Sequence, residues 1–443
     1  MQRKVLKNAG WIIGCKAVKA VLMLVVTAIT ARYLGPDNYG LINYASALVA
    51  FVVPIMQLGL NSTIVHEIID RPNEEGKVVG TSMCMSAFSA LFCILGVIAF
   101  SSIANAGETD TIIVSAIYSV LLLFQAIELI QYWFQSKLMS KNSAIAMLCS
   151  YILVSAFQIV LVLLGVSVYF FAISYSLDFL IIDLILITIY NKKSNQKLSF
   201  SFSLAKELFA SSKYYIIASL MSAIFLQTGK IMLKLMIDDA TTGIYSAAAT
   251  CAEMVSFVFA AVLDSMRPEI FRNKKISNEK YEKSIAELYS VMLYFSIIVC
   301  IGITIFAPLI IKIMYGEDFS ASVPVLRIAT WLTVFSYIGS VRNIWILAEN
   351  KQKYIWIINM SGAIVNFGLN FLLIPVLGAI GTAISAVATH CFNSVIMTFI
   401  IKPLWHNNKL LLRGFNPKNL INIVNSLKKK DEEQVIEEEN TNG

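Results

Sequence analysis

About twelve apolar segments dominate the sequence, and each is long enough to cross a lipid bilayer. A spanning helix needs about 20 mainly apolar residues, because each residue adds about 1.5 Å along the helix axis. By that measure the segments cover approximately residues 8–34, 40–65, 79–104, 111–136, 143–164, 168–191, 213–236, 243–266, 286–311, 324–348, 354–375 and 380–401. An α-helix pairs its backbone polar groups within one such segment, so we predict an all-α integral membrane protein.

The composition agrees with a chain that lies mostly in lipid. Charged residues make up 14% of it, whereas a soluble domain carries roughly 25%. The surplus of Lys and Arg over acidic residues is not clustered among aromatics on a polar face, so no nucleic-acid partner is expected. The seven cysteines and three histidines show no metal-ligand spacing, and neither a metal nor a resident cofactor is predicted.

The first apolar segment is predicted to be a retained span and not a signal peptide. Lys16 and Lys19 interrupt its apolar stretch, and no small-residue cleavage site follows.

The basic residues indicate how the chain crosses the membrane. Alternate connections between spans hold 17 Lys and Arg on one side, and only Lys312 on the other. Basic connections stay in the cytoplasm, so both termini are predicted to be cytoplasmic in a multi-pass protein of the cytoplasmic membrane. The connections predicted to be outer are 35–39, 105–110, 165–167, 237–242, 312–323 and 376–379.

A weak internal repeat suggests two halves of similar topology. Residues 33–48 align with residues 236–251 at an offset of 203, which places Gly40 on Gly243. Two six-span halves are the parallel-repeat arrangement of transporters. The predicted divisions are an N-terminal lobe at 1–197, a C-terminal lobe at 198–402 with an interfacial segment at 198–212, and a largely disordered cytoplasmic tail at 403–443.

The most informative charges inside the spans are Lys16 and Lys19. They are three residues apart and share a helix face, and each charge in a span costs about 2.5–3.5 kcal/mol on insertion scales. We therefore expect them to line a wet cavity and hold an anionic group. The structural alternative is ion pairing with Glu128, Asp178 or Glu253.

Other charges in the spans are weaker candidates. Lys230 and Arg342 are candidates to hold the same anionic group. Lys234 and Arg327 lie close to an outer surface and are expected to snorkel to it. For Asp178 and Glu253, an ion-coupling site and a counter-ion for a buried lysine both remain open.

Motifs of soluble enzymes are missing from the sequence. It has no GxxxxGK[ST], no GxSxG and no HExxH. No predicted outer connection exceeds about a dozen residues, too short to build a catalytic segment. The chain is therefore predicted not to be an enzyme, and a membrane glycosyltransferase is the less favoured alternative.

Three stretches carry a resemblance to a known family. Residues 30–68, 238–266 and 369–389, including YLGPDNYG and LIPVLGAIGTA, resemble bacterial polysaccharide flippases. These belong to the multidrug/oligosaccharidyl-lipid/polysaccharide exporter superfamily, and the resemblance covers nearly all of residues 1–402.

The resemblance implies a MATE-like fold with two six-helix lobes around a central cavity. It also implies a lipid-linked oligosaccharide on an undecaprenyl (pyro)phosphate carrier as substrate, with membrane lipids and polysaccharide-assembly proteins as partners. A coupling ion, H⁺ or Na⁺, is implied as the only cofactor. A cation-coupled multidrug exporter of the same fold is the main alternative; its cavity should be acidic, whereas the first span here carries lysines.

Overall fold

The structure is a computed structural model that describes residues 2–419, except for the side chains of residues 2–13, 16, 17, 218 and 257. Within this part of the chain the regular structure is entirely helical. The first helices are α1 (Gln2–Met56), α2 (Ile64–Asp70), α3 (Glu75–Ala104), α4 (Thr109–Ser119), α5 (Leu121–Ile127), α6 (Gln131–Ser136), α7 (Ser140–Leu164), α8 (Val168–Lys193) and α9 (Phe202–Met236). The later helices are α10 (Asp239–Glu253), α11 (Ser256–Ile276), α12 (Asn278–Met314), α13 (Ser322–Ala329), α14 (Leu332–Ala348), α15 (Lys353–Leu377), α16 (Ala379–Cys391), α17 (Met397–Ile400) and α18 (Trp405–Gly414).

Helix α1 contains two of the predicted spans. Its 55 residues would measure roughly 80 Å if straight, more than twice the roughly 30 Å of the hydrocarbon layer. Gly35 interrupts it with a φ of 70° and a ψ of 174°, a conformation that only glycine adopts without strain. The helix is therefore two arms joined at a kink, in agreement with spans at 8–34 and 40–65.

The number of spans follows from the lengths of the helices. Ten helical segments of the described chain are long and apolar enough to cross a membrane, and the bent pair Asp239–Glu253 and Val258–Ile276 makes eleven. Counting the two arms of α1 separately gives about twelve. The prediction of about twelve spans is thereby confirmed.

One span is broken in its second half by a tighter turn. Residues Thr109–Ser136 form a single membrane-length segment, but Glu128–Ile130 within it is a 3₁₀ helix between α5 and α6. A 3₁₀ turn changes the direction of the side chains that follow it. This break lies at the only carboxylate of α4 to α6 that is buried among the described side chains, Glu128.

The described chain divides into two compact units. The first comprises residues up to Ala247 together with Ile311–Ser322 and Phe367–Thr382, and the second comprises Ala248–Ile310, Val323–Asn366 and residues from Ala383 onward. Trp133, Phe134 and Tyr190 lie at the centre of an apolar core in the first unit. The second unit has its own apolar core, which includes Leu288, Tyr289 and Trp345. The predicted lobes at 1–197 and 198–402 stay a prediction.

The predicted interfacial segment at 198–212 overlaps the start of α9, which runs from Phe202 to Met236, and its place at the membrane surface stays a prediction. The largely disordered tail predicted at 403–443 also stays a prediction, and within it Trp405–Gly414 forms α18. Its Asn407 accepts a hydrogen bond from the Tyr289 hydroxyl at 2.9 Å. Residues 420–443 lie outside the described chain.

Candidate functional site

Lys19 and Asp178 meet inside the first unit. The Lys19 Nζ lies 3.9 Å from the Asp178 Oδ2, and the two side chains are 32% and 18% exposed. Asp178 also accepts a hydrogen bond of 2.6 Å from the Ser150 hydroxyl, and the Lys19 ammonium lies 5.0 Å from the centre of the Tyr151 ring. For Asp178, this contact supports the role of a counter-ion, which the sequence had left open.

A cavity of about 300 Å³ opens beside Lys19. Its polar lining consists of Lys19, Gln131, Gln135, Ser140 and Ser143. Amides and hydroxyls donate hydrogen bonds and carry no charge, so the Lys19 ammonium is the one charged group among the described side chains that line the cavity. An arrangement of one cation with several neutral donors suits an anionic group such as a phosphate.

The other candidate lysines are less well placed by the structure. The backbone of Lys16 belongs to α1, but its side chain lies outside the described residues. Lys230 is partly buried on α9, one helical turn before Lys234. The structure therefore brings Lys19 together with Asp178, and a role for Lys16 or Lys230 stays a prediction.

Arg342 is buried in the second unit. Its side chain is 4% exposed and donates to the Asn393 carbonyl oxygen and, at 3.0 Å, to the Asn343 Oδ1. Asn393 lies in a short π-helix, Phe392–Ile396, a rare form that occurs mostly as a single turn inside an α-helix. In this conformation Arg342 therefore stabilises an irregular helix, and its predicted contact with substrate stays a prediction.

Glu253 lies on the surface of the second unit. It is the last residue of α10, its side chain is exposed, and no cation of the described chain lies within ion-pair distance of it. Its predicted ion-coupling role stays a prediction, and the structure adds no support for it.

Lys234 lies in an ion-pair network that the sequence analysis missed. Its ammonium contacts the Glu108 Oε2 and the Asp239 Oδ2, each at 2.6 Å, and its side chain is only 4% exposed. The prediction that Lys234 snorkels to the surface is wrong, because two carboxylates from other parts of the chain compensate its charge. The sequence did contain a signal for this network, because Glu108 and Asp239 lie in two of the predicted outer connections.

The two glycines that the internal repeat aligns pack against each other. A Cβ on Gly40 would collide with the Asp239 carbonyl oxygen and lie 2.8 Å from the Gly243 nitrogen. A Cβ on Gly243 would collide with the Pro36 carbonyl oxygen and lie 3.0 Å from the Gly40 nitrogen. Since Pro36 and Asp239 are also related by the offset of 203, the contact is nearly symmetric.

The six connections predicted to be outer meet at one place in the first unit. Apart from the network around Lys234, Arg32 donates to the carbonyl oxygens of Lys312 at 3.0 Å and Met314 at 3.2 Å, and the Tyr33 hydroxyl donates to the Val166 carbonyl at 2.8 Å. A Cβ on Gly378 would lie 3.6 Å from the Thr241 methyl carbon. We call this set of residues the connection cluster. It comprises residues 32–40, 105–110, 165–167, 234–243, 312–316 and 376–379. Its formation agrees with the prediction that these connections share one side of the membrane.

Comparisons with known proteins agree with this architecture. A family model described as polysaccharide biosynthesis protein matches residues 5–274. The putative O-antigen transporter of Shigella flexneri is 22% identical over 406 residues, which cover 86% of this chain and 94% of that protein.

Solved structures share the fold at lower identity. The lipid II flippase MurJ in an inward closed conformation has a TM-score of 0.67 at 15% identity, covering 90% of this chain and 89% of MurJ. An inward-facing multidrug resistance MATE family transporter of the MOP superfamily has a TM-score of 0.64 at 14% identity, covering 89% of this chain and 95% of that one. The predicted fold class is confirmed.

Proposed function

The chain belongs to the polysaccharide biosynthesis protein family, and from this premise we propose that it is a flippase for lipid-linked oligosaccharides. It moves repeat units attached to undecaprenyl (pyro)phosphate from the inner to the outer leaflet of the cytoplasmic membrane. It works by alternating access and catalyses no chemical step. Both termini lie in the cytoplasm.

The Lys19 cavity is the observation that carries this proposal. Its volume of about 300 Å³ equals that of roughly ten water molecules at about 30 Å³ each, enough for a phosphate or diphosphate. The Lys19 ammonium supplies the charge for such a headgroup, and Gln131 and Gln135 supply neutral donors. Undecaprenyl (pyro)phosphate is anionic and suits a cavity that carries a lysine. A multidrug exporter of this fold would instead be expected to have an acidic cavity, because its substrates are cationic.

The remainder of the substrate is accommodated by the membrane and by water. The polyprenyl chain is as apolar as the lipid tails, so it stays in the bilayer while the headgroup is bound. The sugars carry many hydroxyl groups, and burial of each without a partner would be costly. They therefore cross through a water-filled space that opens to one side at a time.

The connection cluster supports alternating access. Two interactions hold the predicted outer connections together in this conformation. They are the ion pairs of Lys234 with its two carboxylates and the contact between Gly40 and Gly243. Release of substrate to the outer leaflet requires these contacts to separate. The cluster is thus the outer gate of the proposed cycle, closed in the present state.

Deletion of the coding sequence in the source organism tests the proposal. We expect surface polysaccharide to be lost and the lipid-linked saccharide to accumulate in the inner leaflet. Complementation with the intact chain should reverse both effects.

Two other results would contradict the proposal. Unchanged polysaccharide with new sensitivity to cationic compounds would indicate a multidrug exporter. Transfer of sugar by the purified protein would indicate a glycosyltransferase.

A further inference from the structure

Helix α18 begins close to the end of the last span. The membrane-length segment Ala379–Ile400 is followed by a short 3₁₀ turn, Lys402–Leu404, and α18 starts at the next residue. The intervening residues 401–404 reach at most about 14 Å even when fully extended. The start of α18 is therefore held near the membrane surface by the length of the chain.

One face of α18 is fixed against the rest of the second unit. Leu410 belongs to the apolar core of that unit, and the buried Asn408 donates a hydrogen bond of 3.0 Å to the Thr398 carbonyl oxygen. The Gly414 carbonyl oxygen accepts a hydrogen bond of 2.6 Å from the Ser290 hydroxyl. These contacts fix the rotation of α18 about its axis, and so determine which of its side chains point away from the protein.

The contacts of α18 with α12 lie where a span begins. The Arg413 Nη1 lies 2.8 Å from the Glu282 Oε2, and the Tyr294 hydroxyl donates to the Phe415 carbonyl oxygen at 2.6 Å. The predicted span at 286–311 starts between these two residues of α12. Helix α18 therefore lies beside the boundary between the apolar span and its polar extension, which is the level of the lipid headgroups.

The opposite face of α18 combines large apolar side chains with lysines. Trp405 and Leu412 are 51% and 61% exposed, and a spacing of seven residues places them on one side of the helix. The exposed Lys409 lies between them on that side, and the exposed Lys402 comes just before the helix. Within the described part of the chain, no carboxylate pairs with either lysine.

This combination of side chains suits the surface of an anionic bilayer. Tryptophan is enriched at the level of the headgroups, and an interfacial helix buries its apolar face at the boundary between headgroups and acyl chains. Basic residues beside that face are attracted to anionic lipids. A zwitterionic lipid would accommodate Trp405 and Leu412 but would leave the two lysines without a compensating charge, so an anionic lipid fits the whole face better.

We propose that the exposed face of α18 is a binding site for anionic phospholipids. Lys402 and Lys409 contact the phosphate groups, and Trp405 and Leu412 enter the interface beside them. Binding involves no covalent step. The site is separate from the Lys19 cavity and does not depend on the proposed transport substrate.

Thermal unfolding of the purified full-length protein in detergent tests the selection of the headgroup. We expect phosphatidylglycerol to raise the melting temperature more than phosphatidylcholine with the same acyl chains. The double variant Lys402→Gln with Lys409→Gln should need about tenfold more phosphatidylglycerol for the same rise, because it loses two cations near the anionic headgroups.

Lys275→Gln with Lys280→Gln is the matched control. Both lysines are exposed at the junction of α11 and α12, outside the predicted span at 286–311, and their removal changes the net charge equally. This control should respond to phosphatidylglycerol as the parent does. Equal responses of the parent to the two lipids, or an equal loss in the control, would overturn the proposal.

The fluorescence of Trp405 tests whether the lipid binds at this face. Its indole Nε1 donates to the Phe399 carbonyl oxygen at 2.6 Å, which holds the ring in place. In proteoliposomes, brominated phosphatidylglycerol should quench the parent more than Trp405→Phe, and the difference should be smaller with brominated phosphatidylcholine. No difference between parent and variant, or the same difference with both lipids, would contradict an anionic lipid site.

Another possible occupant of this face is the acidic segment 431–439 of the same chain. Removal of residues 431–443 should leave the response to phosphatidylglycerol unchanged. A response that appears only after this removal would identify the acidic segment as the occupant and overturn the proposal. Surface polysaccharide in the deletion strain bears only on the flippase proposal, so the two proposals can fail separately.

Discussion

Lys19 remains one-third exposed although a carboxylate lies beside it. A close, fully buried ion pair would saturate both charges, but the 3.9 Å separation from Asp178 and the exposed fraction of 32% leave ammonium protons available to a ligand. Asp178 lowers the cost of the charge while the cavity is empty. A second anion can then bind without the protein having to bury a bare cation.

Substitution of Lys19 by Gln tests this role at the scale of one residue. We expect surface polysaccharide to fall about tenfold or more, because a hydrogen bond to a charged group contributes about 1.5–3 kcal/mol. The amount of protein in the membrane should be unchanged. The measurement is polysaccharide per unit of membrane protein in a complemented deletion strain.

Lys192→Gln is the matched control for that experiment. Lys192 is an exposed lysine at the end of α8, and its loss should change nothing. Normal polysaccharide in Lys19→Gln, or an equal defect in the control, would contradict a headgroup role for Lys19.

The sequence predicted part of this site, and the reason is physical. Lys19 was recognisable because a lysine in a span is costly wherever it points. The partner of Lys19 was not recognisable from the sequence, because three carboxylates were equally plausible. Only the packing of α8 against α1 selects Asp178. The network around Lys234 was missed because Glu108 and Asp239 belong to connections whose mutual distance the sequence does not contain.

At the scale of elements, the Gly40 and Gly243 contact sets how closely the second arm of α1 approaches α10. We expect Gly40→Ala and Gly243→Ala each to destabilise the purified protein by about 1–3 kcal/mol, because the added methyl group would overlap backbone atoms. Thermal unfolding in detergent measures the effect.

Gly96→Ala distinguishes this effect from a general effect of glycine loss. A Cβ on Gly96 would meet nothing within 4 Å, and alanine is favoured over glycine inside a helix such as α3 by up to about 1 kcal/mol. This variant should be as stable as the parent or slightly more so. Equal destabilisation of all three variants would show that the close contact is not the cause.

The ion pairs of the connection cluster join α9 to two other elements. We expect Lys234→Met to destabilise the protein by about 1–3 kcal/mol, less than the 3–5 kcal/mol of a fully buried pair, because the Glu108 side chain is 49% exposed. The double variant Lys234→Met with Asp239→Asn should recover part of the loss, because it removes the uncompensated carboxylate. A double variant as unstable as the sum of its single changes would contradict the coupling between them.

The same network predicts how stability depends on pH. The hydrogen bond from Lys234 holds the pKa of the Glu108 carboxyl below its usual 4.5. A group whose pKa is lowered by folding stabilises the protein above its unfolded pKa, and this contribution is lost as the pH falls through the folded value. The melting temperature of the parent should exceed that of Glu108→Gln at neutral pH, and the difference should shrink as the pH falls below the usual glutamate pKa of 4.5. A difference that is independent of pH would exclude Glu108 as its source.

For the whole molecule, the charge pattern predicted which connections lie together, and the structure agrees. Which of the two sides faces the cytoplasm is open to a labelling experiment. A cysteine in place of the exposed Asp318 should react with a membrane-impermeant thiol reagent added to intact cells, whereas one in place of Lys192 should react only after the membrane is opened. The reverse pattern would contradict the orientation, and the unmodified chain gives the baseline of its seven native cysteines.

The spans of the molecule were predictable because the bilayer imposes one length and one polarity on each of them. The residues at which the helices end were less predictable. Helices α11 and α12 continue past the apolar stretches and leave only Ser277 between them, because charged residues outside the bilayer can remain helical. The division into compact units was not predictable, since Ile311–Ser322 and Phe367–Thr382 join the first unit through contacts distant in sequence.

The size of the Lys19 cavity has a consequence for glycan engineering. In the proposed cycle, a space of about 300 Å³ holds the headgroup that every undecaprenyl-linked glycan has in common, and the sugars lie outside it. A host that expresses this protein could then be given glycosyltransferases for a foreign repeat unit without any redesign around Lys19. Laboratory evolution toward new glycans should accordingly collect its mutations elsewhere and leave that pocket unaltered.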